Sequence, residues 1–150
     1  MLELNIIRLN LCTSLSYIRD DALKPFEYTP EAGELLFCFA ISPAQGHSIE
    51  PEADHYLDAL IFQGRLERQQ ELKGEGIAAD TIELPAGKYL FAQTREALGQ
   101  EAFIQMAMEV QKEGLWERLK PKNQLYLRYL FEDGKAVTQV LRPFSAKDPC

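Results

Sequence analysis

The chain is short of the residues that build covalent or metal-based sites. Its 150 residues include three cysteines and two histidines. Cys12, Cys38 and Cys150 are widely spaced and odd in number, which argues against a disulfide framework or a CxxC-type metal site and fits reduced thiols in a cytosol. His47 and His55 stand near Glu50, Glu52 and Asp54, but at a spacing that matches no metal motif, so the expectation is a solvated loop and no metal. No GxSxG occurs, and Gly74-Glu75-Gly76 lacks the flanking strand and helix start of a nucleotide-binding loop; no cofactor is expected. No run of about 18 apolar residues is present. The chain opens on alternating Leu2, Leu4 and Ile6 where an export signal would be basic and then continuously apolar. Membrane spanning and export are disfavoured, and a cytoplasmic location is expected.

Positive charge is also scarce. Sixteen Lys and Arg against 23 Asp and Glu leave a formal charge of −7, a field that repels phosphate backbones and favours cationic partners. With no helix-turn-helix or finger pattern to overrule it, direct nucleic-acid binding is not expected.

What remains is a globular composition, 46% hydrophobic and 26% charged, in a length that makes one core, and so one domain over residues 1–150, the default; such a fold buries roughly 70% of the surface its unfolded chain exposes. Leu2 to Leu11 reads as a half-buried strand, with the Ile6-Ile7 step suggesting a bulge. Thr29-Pro30-Glu31 supplies an N-cap, a first-position proline and a first-turn acid, which predicts a helix over Pro30 to Ile41, stopped by Ser42-Pro43-Ala44-Gln45-Gly46. Cys38, between Phe37 and Phe39 in that helix, reads as a structural thiol. Tyr56 to Gly64 and Ile77 to Leu84 read as strands, with the charged RLERQQELKGEG between them as loop. Pro85-Ala86-Gly87-Lys88 reads as a tight turn into a strand from Tyr89 to Thr94.

Ala97 to Glu113 carries Leu98, Ala102, Met106 and Val110 at near-helical spacing, with Gly114 as its stop. Asp133-Gly134 between Leu125–Phe131 and Ala136–Leu141 is a hairpin signal, and the tail after Pro143 is expected to be loose. The expected fold is α+β: a strand-helix-strand-strand module used twice, in one antiparallel sheet with two main helices on one face.

The segment Ile82 to Gln93, IELPAGKYLFAQ, followed by Leu115-Trp116, Tyr126-Leu127-Arg128-Tyr129 and Val140-Leu141-Arg142-Pro143, resembles the gyrase-inhibitor-like (GyrI-like) family of small-molecule-binding, effector-binding-type domains. The resemblance implies a small organic ligand, amphipathic and possibly cationic, held in a cleft lined by aromatic side chains. The candidates are Tyr56, Tyr89, Phe91, Trp116, Leu127 and Tyr129, each of which could equally be ordinary core. Strand alternation puts Leu125, Leu127, Tyr129 and Phe131 on one face and Tyr126, Arg128 and Leu130 on the other. Leu127 aligns with a ligand-facing family position, which favours the face with Tyr129 over Tyr126. Trp116 could act as a lid or staple the helix to the sheet. Where many relatives carry a glutamate this chain has Leu127, which removes the best catalytic carboxylate and leaves a binding protein ahead of a hydrolase. A protein partner, as for gyrase inhibitors, is the alternative.

Overall fold

The structure, a computed structural model, describes residues 5–27, 33–46, 51–66, 81–96 and 98–146. Nine strands fall in chain order as β1 (Ile7–Leu11), β2 (Leu15–Arg19), β3 (Leu35–Ile41), β4 (Leu57–Leu66), β5 (Thr81–Leu84), β6 (Gly87–Thr94), β7 (Leu119–Pro121), β8 (Gln124–Glu132) and β9 (Lys135–Ala146). Among the described residues the helices are a single turn, α1 (Pro43–Gly46), a 3-10 turn at Ala53–His55, and one long helix, α2 (Gln100–Trp116).

The strands pair antiparallel in the order β1-β6-β9-β8-β3-β4-β2-β5, with β7 added beside β9. That order is a palindrome under exchange of β1 with β5, β2 with β6, β3 with β8 and β4 with β9. Each module is therefore a strand, a connection and a strand pair, and the two meet at β3 and β8, where Phe37 faces Leu127. A two-module antiparallel sheet is present as expected, but the strand pair of the first module is β3 with β4, not Tyr56–Gly64 with Ile77–Leu84. Each module also contributes a leading strand to the other: β1 pairs with β6 and β5 with β2.

Several local expectations are overturned. The helix expected over Pro30 to Ile41 is strand β3, with Cys38 in its middle; Thr29-Pro30-Glu31 lies outside the described residues. Leu35 to Phe39 are buried, as befits a central strand covered on both faces. The layer thus has one main helix among the described residues, not two. Pro85-Ala86 does not reverse the chain. Antiparallel register runs from Leu11 opposite Gly87 to Leu15 opposite Leu84, so β5 bends into β6 while β1 bends into β2 beside it. The Ala86 N–H donates to Ser14 Oγ at 3.0 Å across that bend.

No bulge interrupts β1, whose register with β6 is regular; Leu2 and Leu4 lie outside the described residues. Arg65 and Leu66 belong to β4, and the rest of the expected loop, like 77–80 of the expected strand, lies outside the described residues. α2 continues through Gly114 to Trp116, because Gly114 is where the helix presses on Leu90: an added Cβ would lie 2.4 Å from Leu90 Cδ1. Of the tail expected to be loose after Pro143, the residues to Ala146 continue β9, with Phe144 paired to Pro121, and 147–150 lie outside the described residues. The Asp133-Gly134 hairpin is as expected, with φ of 51° and 77°, the left-handed pair a two-residue turn requires.

The sheet separates two cores. One lies under α2, where Phe103, Met106, Ala107 and Val110 meet Phe37, Phe39, Leu125, Leu127 and Tyr129; burying Phe103 alone is worth about 2–3 kcal/mol. The other lies on the opposite face, where Tyr17, Leu36, Cys38, Ile82, Leu84, Tyr89, Tyr126 and Leu141 pack together.

Candidate functional site

β2 pairs with β4 only at Gly64–Leu66. From Leu57 to Phe62, β4 has β3 on one side and no strand on the other among the described residues. In the second module α2 packs against β6, β7 and β9. In the first, residues 20–34 contribute Pro25 and Phe26 beside the open part of β4 and no helix among their described residues. The result is a two-lobed groove between the open part of β4, the 3-10 turn and the N-terminal half of α2.

The larger lobe, about 440 Å³, is lined by Ala53, Asp54, Leu57, Glu101, Ile104 and two glutamines of α2. The smaller, about 320 Å³, is bounded by Pro25, Phe26, Phe39, Asp58 and Leu60, and Leu57 and Gln100 belong to both lobes. The aromatic wall is Phe26 and Phe39, backed by the buried ring of Phe103: Phe26 lies 6.1 Å from Phe39 at 17° and 5.4 Å from Phe103 at 49°, and Phe39 lies 5.6 Å from Phe103. Asp54, Asp58 and Glu101 bring three carboxylates to the lining. Among the described residues no lysine, arginine or histidine lines either lobe.

Behind the groove, Tyr56 is pinned by a buried arginine. Arg142 donates to Tyr56 Oη at 2.6 Å, to Gln111 Oε1 at 2.8 Å and to the Lys122 carbonyl at 2.7 Å. Burial opposes its charge and Tyr56 partly offsets that. Burial likewise pushes the Tyr56 hydroxyl up to about 12, against the pull of Arg142.

The opposite face of the sheet carries a second polar cluster. Glu34 Oε2 accepts from the Tyr17 hydroxyl at 2.6 Å and from Arg128 Nε at 2.9 Å, with Arg128 Nη2 at 2.8 Å. Arg128 Nη1 donates to Gln139 Oε1, and Gln139 in turn donates to Gln93. Burial works against the Arg128 charge, but Tyr17 and Glu34 outweigh it. Each of these five side chains, Tyr17, Glu34, Arg128, Gln139 and Gln93, is hydrogen-bonded to another of them, as in a structural network.

Burial also raises Cys38 from 9.0 to about 12 and Tyr89 from 10.0 to about 12, and it shifts Tyr17 and Tyr126 in the same direction. Because these groups ionise later in the folded chain than in the unfolded one, the folded state holds more protons between about pH 9 and 12. Stability is therefore complete below that window and declines as pH rises through it. We expect the urea midpoint to stay level to pH 8.5 and to fall from pH 9 upward, with tyrosinate absorbance at 295 nm appearing together with unfolding. More than two of the six tyrosines titrating near pH 10 in the intact fold would refute this.

The sequence-derived site residues are placed apart. Tyr56 is buried behind the groove. Leu127 and Tyr129 lie in the core under α2, where the Tyr129 hydroxyl donates to the Leu98 carbonyl at 3.0 Å. Tyr89 and Phe91 lie on the opposite face; the Tyr89 hydroxyl donates to the Pro85 carbonyl and its ring meets Tyr126 edge-on at 6.1 Å. Trp116 is 86% exposed, so its ring neither staples α2 to the sheet nor reaches the groove, which adjoins the other end of the helix. The alternation on β8 is as expected, with Tyr126 and Arg128 opposite Leu127 and Tyr129.

None of the six lines the groove. Its residues were in view in the sequence only as fragments: Phe39 inside an expected helix, Asp54 in an acidic loop, Asp58 in a strand. His55 and Glu52 approach to 4.0 Å at the surface, and no group of three or more potential ligands that could hold a metal occurs among the described residues. Nor does any described helix have the length and apolarity to cross a membrane.

No family profile matches the chain, and no curated protein sequence does. Among solved structures, SAV2435 bound to tetraphenylphosphonium aligns over 96% of this chain and 94% of that chain, at 11% identity and a TM-score of 0.47.

Proposed function

We propose that this protein binds small lipophilic organic cations in the groove between β4 and α2. The observation that carries the reading is the lining: apolar contacts from Leu57, Leu60, Ile104 and Phe39 beside three carboxylates, with no basic side chain among the described residues. Small-molecule sites combine apolar walls with a few placed polar groups, and their volumes span about 300–1,000 Å³. Carboxylates around the groove attract a cation and penalise an anion, while the ring of Phe39 at the smaller lobe adds cation–π attraction. The family resemblance read from Ile82 to Gln93 points to the same ligand class.

The opposite face fits this role less well. Its side chains pack on one another, and its carboxylate, Glu34, is already neutralised by Arg128. For the same reason Glu34 is poorly placed to act as the free acid or base that hydrolysis would need.

The test is calorimetric titration of tetraphenylphosphonium into the wild type and into an Asp54→Asn/Glu101→Gln double variant. We expect saturable binding, weakened roughly tenfold in the double variant, about 1.4 kcal/mol, and less so as salt rises. Absence of saturation in the wild type, or equal affinity in both proteins, would sink the reading.

A further inference from the structure

Lys24-Pro25-Phe26-Glu27 is a tight turn closed by the Glu27 N–H donating to the Lys24 carbonyl at 3.2 Å. Proline at the second position suits such a turn. The third position has φ of +68°, a conformation that calls for glycine or asparagine and that a bulky side chain adopts only when its surroundings enforce it. Here the residue is phenylalanine. Its enforcing contacts are the two rings beneath it: Phe26 stacks on Phe39 and tilts against Phe103. Those two are buried, whereas Phe26 is only partly so and forms a wall of the smaller lobe.

We infer that Phe26 is a displaceable ring, and that the groove is thereby selective for organic cations bearing an aromatic ring. The inference rests on the groove being the ligand site. An aromatic group entering the smaller lobe takes the place of the Phe26 ring against Phe39 and Phe103. The stacking given up by Phe26 is then remade by the ligand, and the turn is released from its left-handed conformation. An aliphatic cation of the same size and charge offers no ring face to remake that stacking, so it leaves Phe26 where it is and uses the larger lobe alone.

The test compares tetraphenylphosphonium with tetrabutylphosphonium, which share a charge and differ in aromaticity. Phe26→Gly removes the ring and supplies the residue the turn prefers. It should bind tetraphenylphosphonium about tenfold more tightly than the wild type, since no ring has to move first, and should bind tetrabutylphosphonium within about twofold of it. A second variant keeps a ring in place: Phe26→Trp in a Trp116→Phe background makes position 26 the sole indole, Trp116 being the one tryptophan of the chain. Its emission should shift to the red as tetraphenylphosphonium saturates the site and stay unchanged with tetrabutylphosphonium.

Unchanged or weaker binding of the aromatic cation to Phe26→Gly, or no red shift, would show a fixed wall and overturn the inference. The groove would still stand if neutralising Asp54 and Glu101 weakened binding. If no phosphonium bound any of these proteins, the groove reading and the displaceable ring would fall together.

Discussion

Gly64→Ala is expected to lower stability by about 3 kcal/mol. A Cβ at Gly64 would stand 2.6 Å from the Ile18 carbonyl oxygen and 2.9 Å from Ile82 Cδ1. The first of these neighbours is main chain in β2, which cannot turn aside as a side-chain tip can. β2 is held to β4 over Tyr17–Arg19 only, so moving it away from Gly64 breaks that short ladder and pulls Tyr17 from Glu34 and Arg128. For a domain of this length the melting temperature should drop by roughly 6–12 °C. Gly99→Ala, where an added Cβ meets nothing within 4 Å, is the matched control and should stay within about 1 kcal/mol of the wild type. Equal melting temperatures for the two variants would show that β2 yields freely.

Arg142→Ala should be as damaging, at roughly 3–5 kcal/mol, for a different reason. The guanidinium is fully buried and joins three parts of the chain: Tyr56 after the 3-10 turn, Gln111 on α2 and the Lys122 carbonyl before β8. Gln111 passes the connection on to the Gln45 carbonyl at 2.8 Å. Truncation would strand these acceptors in a dry cavity. Lysine cannot bridge three acceptors from one planar group, so Arg142→Lys should recover little. Methionine fills the volume without the charge. Arg142→Met should therefore recover part of the loss, and the difference between Met and Ala measures the cavity apart from the hydrogen bonds. Chemical denaturation of the three variants gives the answer; near-wild-type stability for Arg142→Ala would mean that the buried charge costs as much as its bonds return.

How much of this could be seen in the sequence depended on how local each cause was. The Asp133-Gly134 hairpin and the apolar stripe of α2 are set by neighbours a few residues away, and both were legible. So was the presence of two modules in one antiparallel sheet, although the strand pair of the first, β3 with β4, was not. β3 was misread because Leu35-Leu36-Phe37-Cys38-Phe39-Ala40-Ile41 is apolar on both faces and so has no period to distinguish strand from helix. With no period to weigh, the cap signal at Thr29-Pro30-Glu31 decided the matter wrongly. Pro85-Ala86-Gly87 looks like a reversal until β1 and β2 are known to run beside it, and that pairing spans some 75 residues of sequence.

The groove was illegible for a stronger version of the same reason. It exists because the ladder between β2 and β4 stops at Gly64, leaving the rest of β4 open, and no residue within β4 announces where its neighbour will end. Aromatic content drew attention to Tyr56, Tyr89 and Tyr129, and the family resemblance to Leu127, all of which are residues the core uses. The carboxylates that distinguish the groove sit one each on a 3-10 turn, a strand and a helix, and only the fold brings them together.

The pairing of the two central strands also bears on the order of events during synthesis. β3 finds β4 early, but Cys38 must wait for Tyr126, and at translation rates of 5–20 residues per second that delay is on the order of 5–20 s. Through that interval Leu35 to Ile41, apolar on both faces, has one edge without its partner, and for most of it the nascent chain also lacks α2. A ribosome pausing before β8 would lengthen the exposure, and a chaperone that favours extended apolar segments would find its best binding site there.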